Sequence, residues 1–99
     1  MFKPDSKKLQ EWKAKHGEVF LITVDDKACA VRKPNRRDLS FAMAASNGGR
    51  DAVKMQESLL NNCWLDGDEE IRTDDACFFG ASAKIAGMME AKEAELKKL

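Results

Sequence analysis

The sequence predicts an α+β fold, a two-stranded antiparallel β-hairpin packed with about four helices, the last of them long. Three observations carry this. The run "EVFLITV", rich in β-branched and aromatic residues, is followed by Asp25-Asp26 and a second run, "KACAVRK", which is the pattern of a hairpin. On both sides of it, apolar residues recur at spacings of three and four between capping residues, as in amphipathic helices. No repeat, low-complexity linker or break in composition interrupts the 99 residues. Residues 1–99 therefore read as one domain, with an N-terminal helix over 5–16, the hairpin over 18–33 and a helical part over 35–99.

The first helix starts after Pro4, where Asp5 or Ser6 can cap it, and Gly17 can end it. Its apolar seam is thin, only Leu9, Trp12 and His16, so it belongs on the surface, held by Trp12. In the hairpin, Val19, Leu21 and Thr23 share one face and Phe20, Ile22 and Val24 the other. Both faces are apolar, so the hairpin needs cover on both sides, as a lone hairpin is marginal in water. Pro34 stops the second strand, because it cannot donate to a ladder. Asn35 can cap the next helix with Asp38 in its first turn. Leu39, Ala42, Met43 and Ser46 keep a helical period up to "NGG" at 47–49, which suits a C-cap. Asp51 can cap a third helix with the seam Ala52, Val53, Leu59, Leu60, Cys63 and Trp64.

The last helix is expected from about Thr73 to the end of the sequence. Phe78, Ala81, Ile85, Met89, Leu96 and Leu99 fall on one arc, and Gly80, Ala83, Gly87, Ala91 and Ala94 nearly opposite. Each interior glycine costs about 1 kcal/mol against alanine, so the small stripe needs a compensating contact. Near the domain body, Gly80 and Ala83 are expected to pack on the chain's own hairpin or third helix. For Ala91 and Ala94, packing within the chain and docking of a partner helix are both open.

The stretch "NNCWLDGDEEIRTDD", residues 61–75, gathers Asp66, Asp68, Glu69, Glu70, Asp74 and Asp75. As a calcium loop starting at Asp66 it fails. Ile71 stands where the sharp-turn glycine is needed and Cys77 where the closing glutamate is needed. As a catalytic cluster it lacks the burial that drives paired carboxylate pKa values apart. As a connector it makes sense: Asp66-Gly67 turns, Asp68 to Glu70 start a short helical turn, Ile71 points inward, and Thr73 caps the last helix. Cys29, Cys63 and Cys77 form no CxxC pair and His16 is the only histidine, so reduced, mostly buried thiols are expected and no metal or cofactor.

With 17 basic and 17 acidic residues the chain has no formal net charge, which argues against a general nucleic-acid binder. Arg32, Lys33, Arg36 and Arg37 fall within six residues around Pro34, and a weak nucleic-acid contact through residues 32–37 is the further alternative. No apolar run reaches membrane-spanning length, and "MFKPDSKKLQEW" lacks the apolar stretch of a signal peptide. The expected location is the cytoplasm.

The order of elements and three strings, "VRKPNRRDLSFAMA", "LLNNCWLDGDEEIRTDDACFFGASA" and "EAKEAELKKL", resemble small proteins of bacteriophage and prophage tail modules. These are labelled tail assembly chaperones or tail-related proteins of unknown function. The likeness covers roughly residues 18–99 and rests on Lys33-Pro34, Arg36 and Leu39 and on the segment Asn62 to Asp68. It implies a non-enzymatic protein in the cytoplasm of a bacterial host cell that binds a tape-measure or tail-tube protein and shields its apolar helices. The residues expected to meet such a partner are Phe79, Ala83, Gly87, Met88, Ala91 and Leu96, with no catalytic residue. A homo-oligomer is compatible with this reading. The alternative is a small regulatory or host-interaction protein that docks on a bacterial partner.

Overall fold

A computed structural model describes residues 1–89 and 91–99 of the chain. The elements run α1 Ser6–His16, β1 Val19–Val24, β2 Lys27–Arg32, α2 Arg36–Ala45, α3 Ala52–Cys63, β3 Trp64–Gly67, α4 Glu70–Thr73 and α5 Asp75–Gly87. The fold is α+β, and its sheet has three antiparallel strands in the order β1-β2-β3.

The local signals in the sequence account for most boundaries. Asp5 accepts the Lys8 amide and caps α1; Asp51 caps α3 through the Lys54 amide. Asn35 and Asp38 form a reciprocal capping box at the start of α2, satisfying two otherwise orphaned donors. Asp25 takes φ 54° in the hairpin turn, a left-handed conformation that aspartate tolerates. Val19 pairs with Arg32 and Val24 with Lys27.

Strand β2 is the centre. Ala28, Cys29, Ala30 and Val31 are all buried. Cys29 and Val31 join Ile22, Leu59, Leu60, Cys63, Ile71, Phe78, Ala81 and Ile85 in the core on one side of the sheet. Helix α1 lies against the opposite face, where Leu9 and Pro4 approach Val19, Leu21 and Ala30. It buries no residue completely, in keeping with its thin seam.

The two-stranded hairpin expected from the sequence is corrected by β3, which completes the sheet. Trp64 pairs with Val31 and Gly67 with Cys29, and a bulge between Ala30 and Val31 breaks the register. Gly67 is thus a strand residue and not a turn residue. A Cβ there would sit 2.5 Å from Cys29 Cα, so only glycine permits this approach. Asp68 extends the ladder with its side chain. Its carboxylate accepts the Ala28 amide at 2.9 Å and the Phe2 amide at 3.1 Å, while its own amide donates to the Ala28 carbonyl.

The long C-terminal helix is corrected as well. α5 has 13 residues and stops at Gly87. Residues 91–99 carry no regular secondary structure and are exposed. A helix-forming composition does not sustain a helix there without an apolar face to pack. Asp74, not Thr73, caps α5, accepting the Cys77 amide at 3.0 Å. Ile71 is fully buried and pins the connector, as the sequence predicts.

One ion pair joins three elements. The Arg32 guanidinium donates to both oxygens of Asp38 at 2.6 and 2.7 Å and to the Asn62 carbonyl at 2.8 Å. Asp38 is only 3% exposed. Arg32, with the Asn35 amide and against the opposing effect of burial, holds the Asp38 carboxyl below its ordinary range.

Two predictions follow from these contacts. Asp38→Asn leaves the Arg32 charge half-buried and unpaired, and should cost about 3 kcal/mol in urea unfolding at neutral pH. Because the folded state holds that proton less tightly than an unfolded carboxyl of pKa about 3.9, the contribution is complete above that value and fades as pH falls through the lower folded one. The variant should therefore show a flatter acid limb than the wild type. Gly67→Ala forces Cβ into the Cys29 backbone and should cost about 1–3 kcal/mol in the same titration.

Candidate functional site

The face that the sequence singles out lies on α5. Its N-terminal half packs inward through Cys77, Phe78, Ala81, Ser82 and Ile85. The opposite face, spaced by four, carries Phe79, Ala83 and Gly87. All three are exposed, and Phe79 is 54% exposed. Gly80 is exposed too, and a Cβ at either glycine would meet nothing within 4 Å. The small stripe therefore faces solvent, and the expectation that Gly80 and Ala83 pack on the hairpin or on α3 is corrected. The core side of α5 is already filled by the larger residues of the other arc.

The remaining predicted residues separate from this face. Met88 is the C-cap residue of α5 and packs partly against the core. Ala91 and Leu96 lie beyond the end of the helix, in the exposed segment without regular structure. Only Phe79, Ala83 and Gly87 share a surface.

Beside Phe79 runs a groove of about 600 Å³ between α3 and the α4–α5 corner. Leu60 and Phe78 form its floor, Val53 and Phe79 its apolar rim, and Glu57 and Asp75 its acidic edges. Val53 is 45% exposed, although its position in the sequence suggests the inner seam of α3. The Phe78 and Phe79 rings are 5.5 Å apart and tilted by 57°, so the exposed ring rests on a buried one. Arg72 closes one end. Its guanidinium lies over the Trp64 ring at 4.1 Å, donates to Asn61 at 3.4 Å and pairs with Glu69. Stacking and pairing hold this wall in one orientation.

Sequence reasoning did not find Glu57, Asn61, Arg72 or Asp75. They come together through the α3–β3–α4 path, which no local spacing displays. Other bulky groups are also exposed, Phe41 and Met43 on α2 and Phe20 and Leu21 on β1, so exposure alone does not mark the α5 face. It is distinguished by the size of the groove beside it, about 600 Å³ against about 190 Å³ beside Phe20 and Leu21.

The acidic stretch supplies acceptors for the backbone and for cations. Asp66 takes the Gly67 amide, Asp68 those of Ala28 and Phe2, and Asp74 that of Cys77. Glu70 reaches Lys27 at 3.3 Å. Backbone hydrogen bonds hold the Asp68 and Asp74 carboxyls below their ordinary range. Burial pushes the Cys29 and Cys63 thiols up to about 11, which keeps them protonated and poor nucleophiles at neutral pH. All three cysteines are free and buried. Among the described residues, no three His, Cys, Asp or Glu side chains are grouped to hold a metal ion, and no helix is long and apolar enough to cross a membrane. In the basic segment, Arg32 is bound to Asp38, while Arg36 and Arg37 are exposed on the first turn of α2.

The open space at Gly80 gives a direct check on this geometry. Gly80→Ala should stabilise the isolated chain by about 1 kcal/mol in chemical unfolding, because it adds helix propensity with no clash. A destabilised variant would mean that the stripe is packed.

Compared with protein families, curated proteins and solved structures, the chain matches none of them.

Proposed function

We propose that this chain is a non-enzymatic tail-assembly chaperone of a phage or prophage, or a related tail-module protein, that works by binding another protein in the bacterial cytoplasm. Two lines support the reading. The first is the resemblance of residues 18–99 to tail-module proteins. The second is the face of α5, where an exposed phenylalanine stands beside small residues and an apolar-floored groove.

The observation that carries the mechanism is the pairing of Phe79 with open positions at Gly80, Ala83 and Gly87. Small residues let a second helix approach closely, and a large ring beside them gives it an anchor. An amphipathic helix of a tape-measure or tail-tube protein would lay its apolar side along α5, with its flanking lysines or arginines meeting Glu57 and Asp75. Contacts of this kind cover apolar side chains that would otherwise drive the client to aggregate.

Co-expression with the long helical protein encoded in the same gene cluster, followed by pull-down, tests the reading. The wild-type chain should retain that protein in solution. Phe79→Asp and Gly87→Leu should each weaken the association at least tenfold, or about 1.4 kcal/mol, while thermal unfolding of the isolated variants stays within a few degrees of wild type. Full retention by both variants would remove α5 from the binding face. No association of the soluble wild-type chain would remove the chaperone reading itself.

A further inference from the structure

The two edges of the sheet are unlike. β3 is protected in the ways natural edges are: it is four residues long, contains Asp66 and ends on Gly67, and is offset by a bulge. β1 is six residues long, reads Val-Phe-Leu-Ile-Thr-Val, and contains neither charge, proline nor bulge. Phe20 is 37% and Leu21 50% exposed.

The hydrogen-bond pattern tells which backbone groups of β1 face outward. Ala28 directs both its amide and its carbonyl to Asp68, on the β3 side. Its partner Thr23 is therefore at a non-hydrogen-bonded position of the β1–β2 ladder. By the alternation of an antiparallel pair, Thr23, Leu21 and Val19 all point their N–H and C=O groups away from the sheet. Among the described residues, no bond to these outward groups is present. An extended strand can complete such an edge with main-chain bonds alone.

We propose that the occupant is a second copy of this chain, joined through β1 about a two-fold axis to make a continuous six-stranded sheet. Charge selects this partner and this direction. The start of β1 adjoins the last turn of α1, which carries Lys13, Lys15 and His16, against one acid there, Glu18, so that this end keeps a net positive charge. The end of β1 leads into Asp25-Asp26, of which Asp26 is paired with Lys27. An antiparallel pair of identical strands lays each lysine-bearing end against the acidic turn of the other copy, whereas a parallel pair lays like against like.

The outward groups also set the register. Hydrogen-bonded positions must face one another, so Leu21 meets Leu21 of the second copy at the axis, and Val19 meets Thr23. Gly17 then lies beside Asp25 of the second copy. The half-exposed Leu21 side chains are covered on the same face of the new sheet. One six-residue ladder belongs to the small end of interface sizes, so the dimer is reversible at micromolar or weaker affinity. This inference is independent of the α5 reading, which concerns another element.

Sedimentation equilibrium of the full chain up to about 1 mM should show a reversible monomer–dimer equilibrium. Thr23→Pro removes an amide that the isolated fold does not use, and Leu21→Lys sets two charges at the axis. Each should weaken association at least tenfold with unchanged circular dichroism. Leu21→Cys places two thiols on α-carbons about 5.5 Å apart across the axis, within disulfide range, and mild oxidation should give a covalent dimer with a native spectrum. This variant decides the matter should either of the others fail to fold. A chain that stays monomeric throughout overturns the proposal, as does dimerisation undiminished by Thr23→Pro or a Leu21→Cys chain that does not cross-link. A monomer whose Leu21 amide is protected from exchange only by an unrelated strand peptide also overturns it, the edge then belonging to a different partner.

Discussion

The arrangement of the helices depends on the Arg32–Asp38 pair. Arg32 ends β2, Asp38 opens α2, and Asn62 lies in the last turn of α3, and one guanidinium bonds to the last two side by side. Each contact also answers a local demand. Asp38 is negative at a helix N-terminus and Arg32 is positive at the end of α3, where carbonyls lack intrahelical partners. A buried pair of this kind contributes little net stability, because desolvation offsets most of the attraction. What it contributes is position. The flat fork of arginine accepts one carboxylate orientation, so α2 and α3 cannot slide along β2 without leaving charge unpaired. The groove beside Phe79 inherits its shape from that restraint, since Val53, Glu57, Leu60 and Asn61 all ride on α3.

Much of this was legible in the sequence where a single residue type answers a local problem. Asp5, Asn35 and Asp51 cap helices, the Val19–Arg32 pairing closes a hairpin, and Ile71, alone among acids, goes inside. The failures share a cause. β3 is too short to show a period, and its glycine is there for a contact with Cys29, far away in the chain on β2. Composition after Gly87 favours helix, yet residues 91–99 are exposed and bury no apolar face on the rest of the chain, and packing decides. Val53 has the spacing of a core residue and is 45% exposed, because it stands on the rim of the open groove between α3 and α5. The groove was illegible for the same reason: its wall, Arg72 on Trp64, is made by two elements meeting at a corner.

The acidic connector shows how strongly context sets the meaning of a charge. Six acids in ten residues invite a metal or a proton-transfer role. Here Asp66, Asp68 and Asp74 each accept backbone amides, and Glu69 and Glu70 reach Arg72 and Lys27. At Asp68 and Asp74 the backbone hydrogen bonds favour the ionised form. A carboxylate used in this way stitches a short strand and the start of α5 into place where the chain is too compact for longer ladders. The connector thereby serves the placement of α5.

A domain of this size has a net stability of only about 5–15 kcal/mol, so a glycine inside an exposed helix face, Gly80, costing about 1 kcal/mol, is a large concession, to which Gly87 at the end of α5 adds less. Neither is required by the fold: Gly80 and Gly87 have space around them, and neither needs a positive φ. Gly67 makes the contrast, because there the backbone contact with Cys29 excludes any side chain. Under the proposed function the α5 glycines are explained by what approaches them from outside, since a helix backbone can come close to another only where side chains are absent. The exposed phenylalanine beside them fits the same account. A face selected for the isolated fold would carry alanine at the open positions and a polar residue at Phe79. On that proposal, the stability forgone on α5 is a measure of the contact that a bound helix must return.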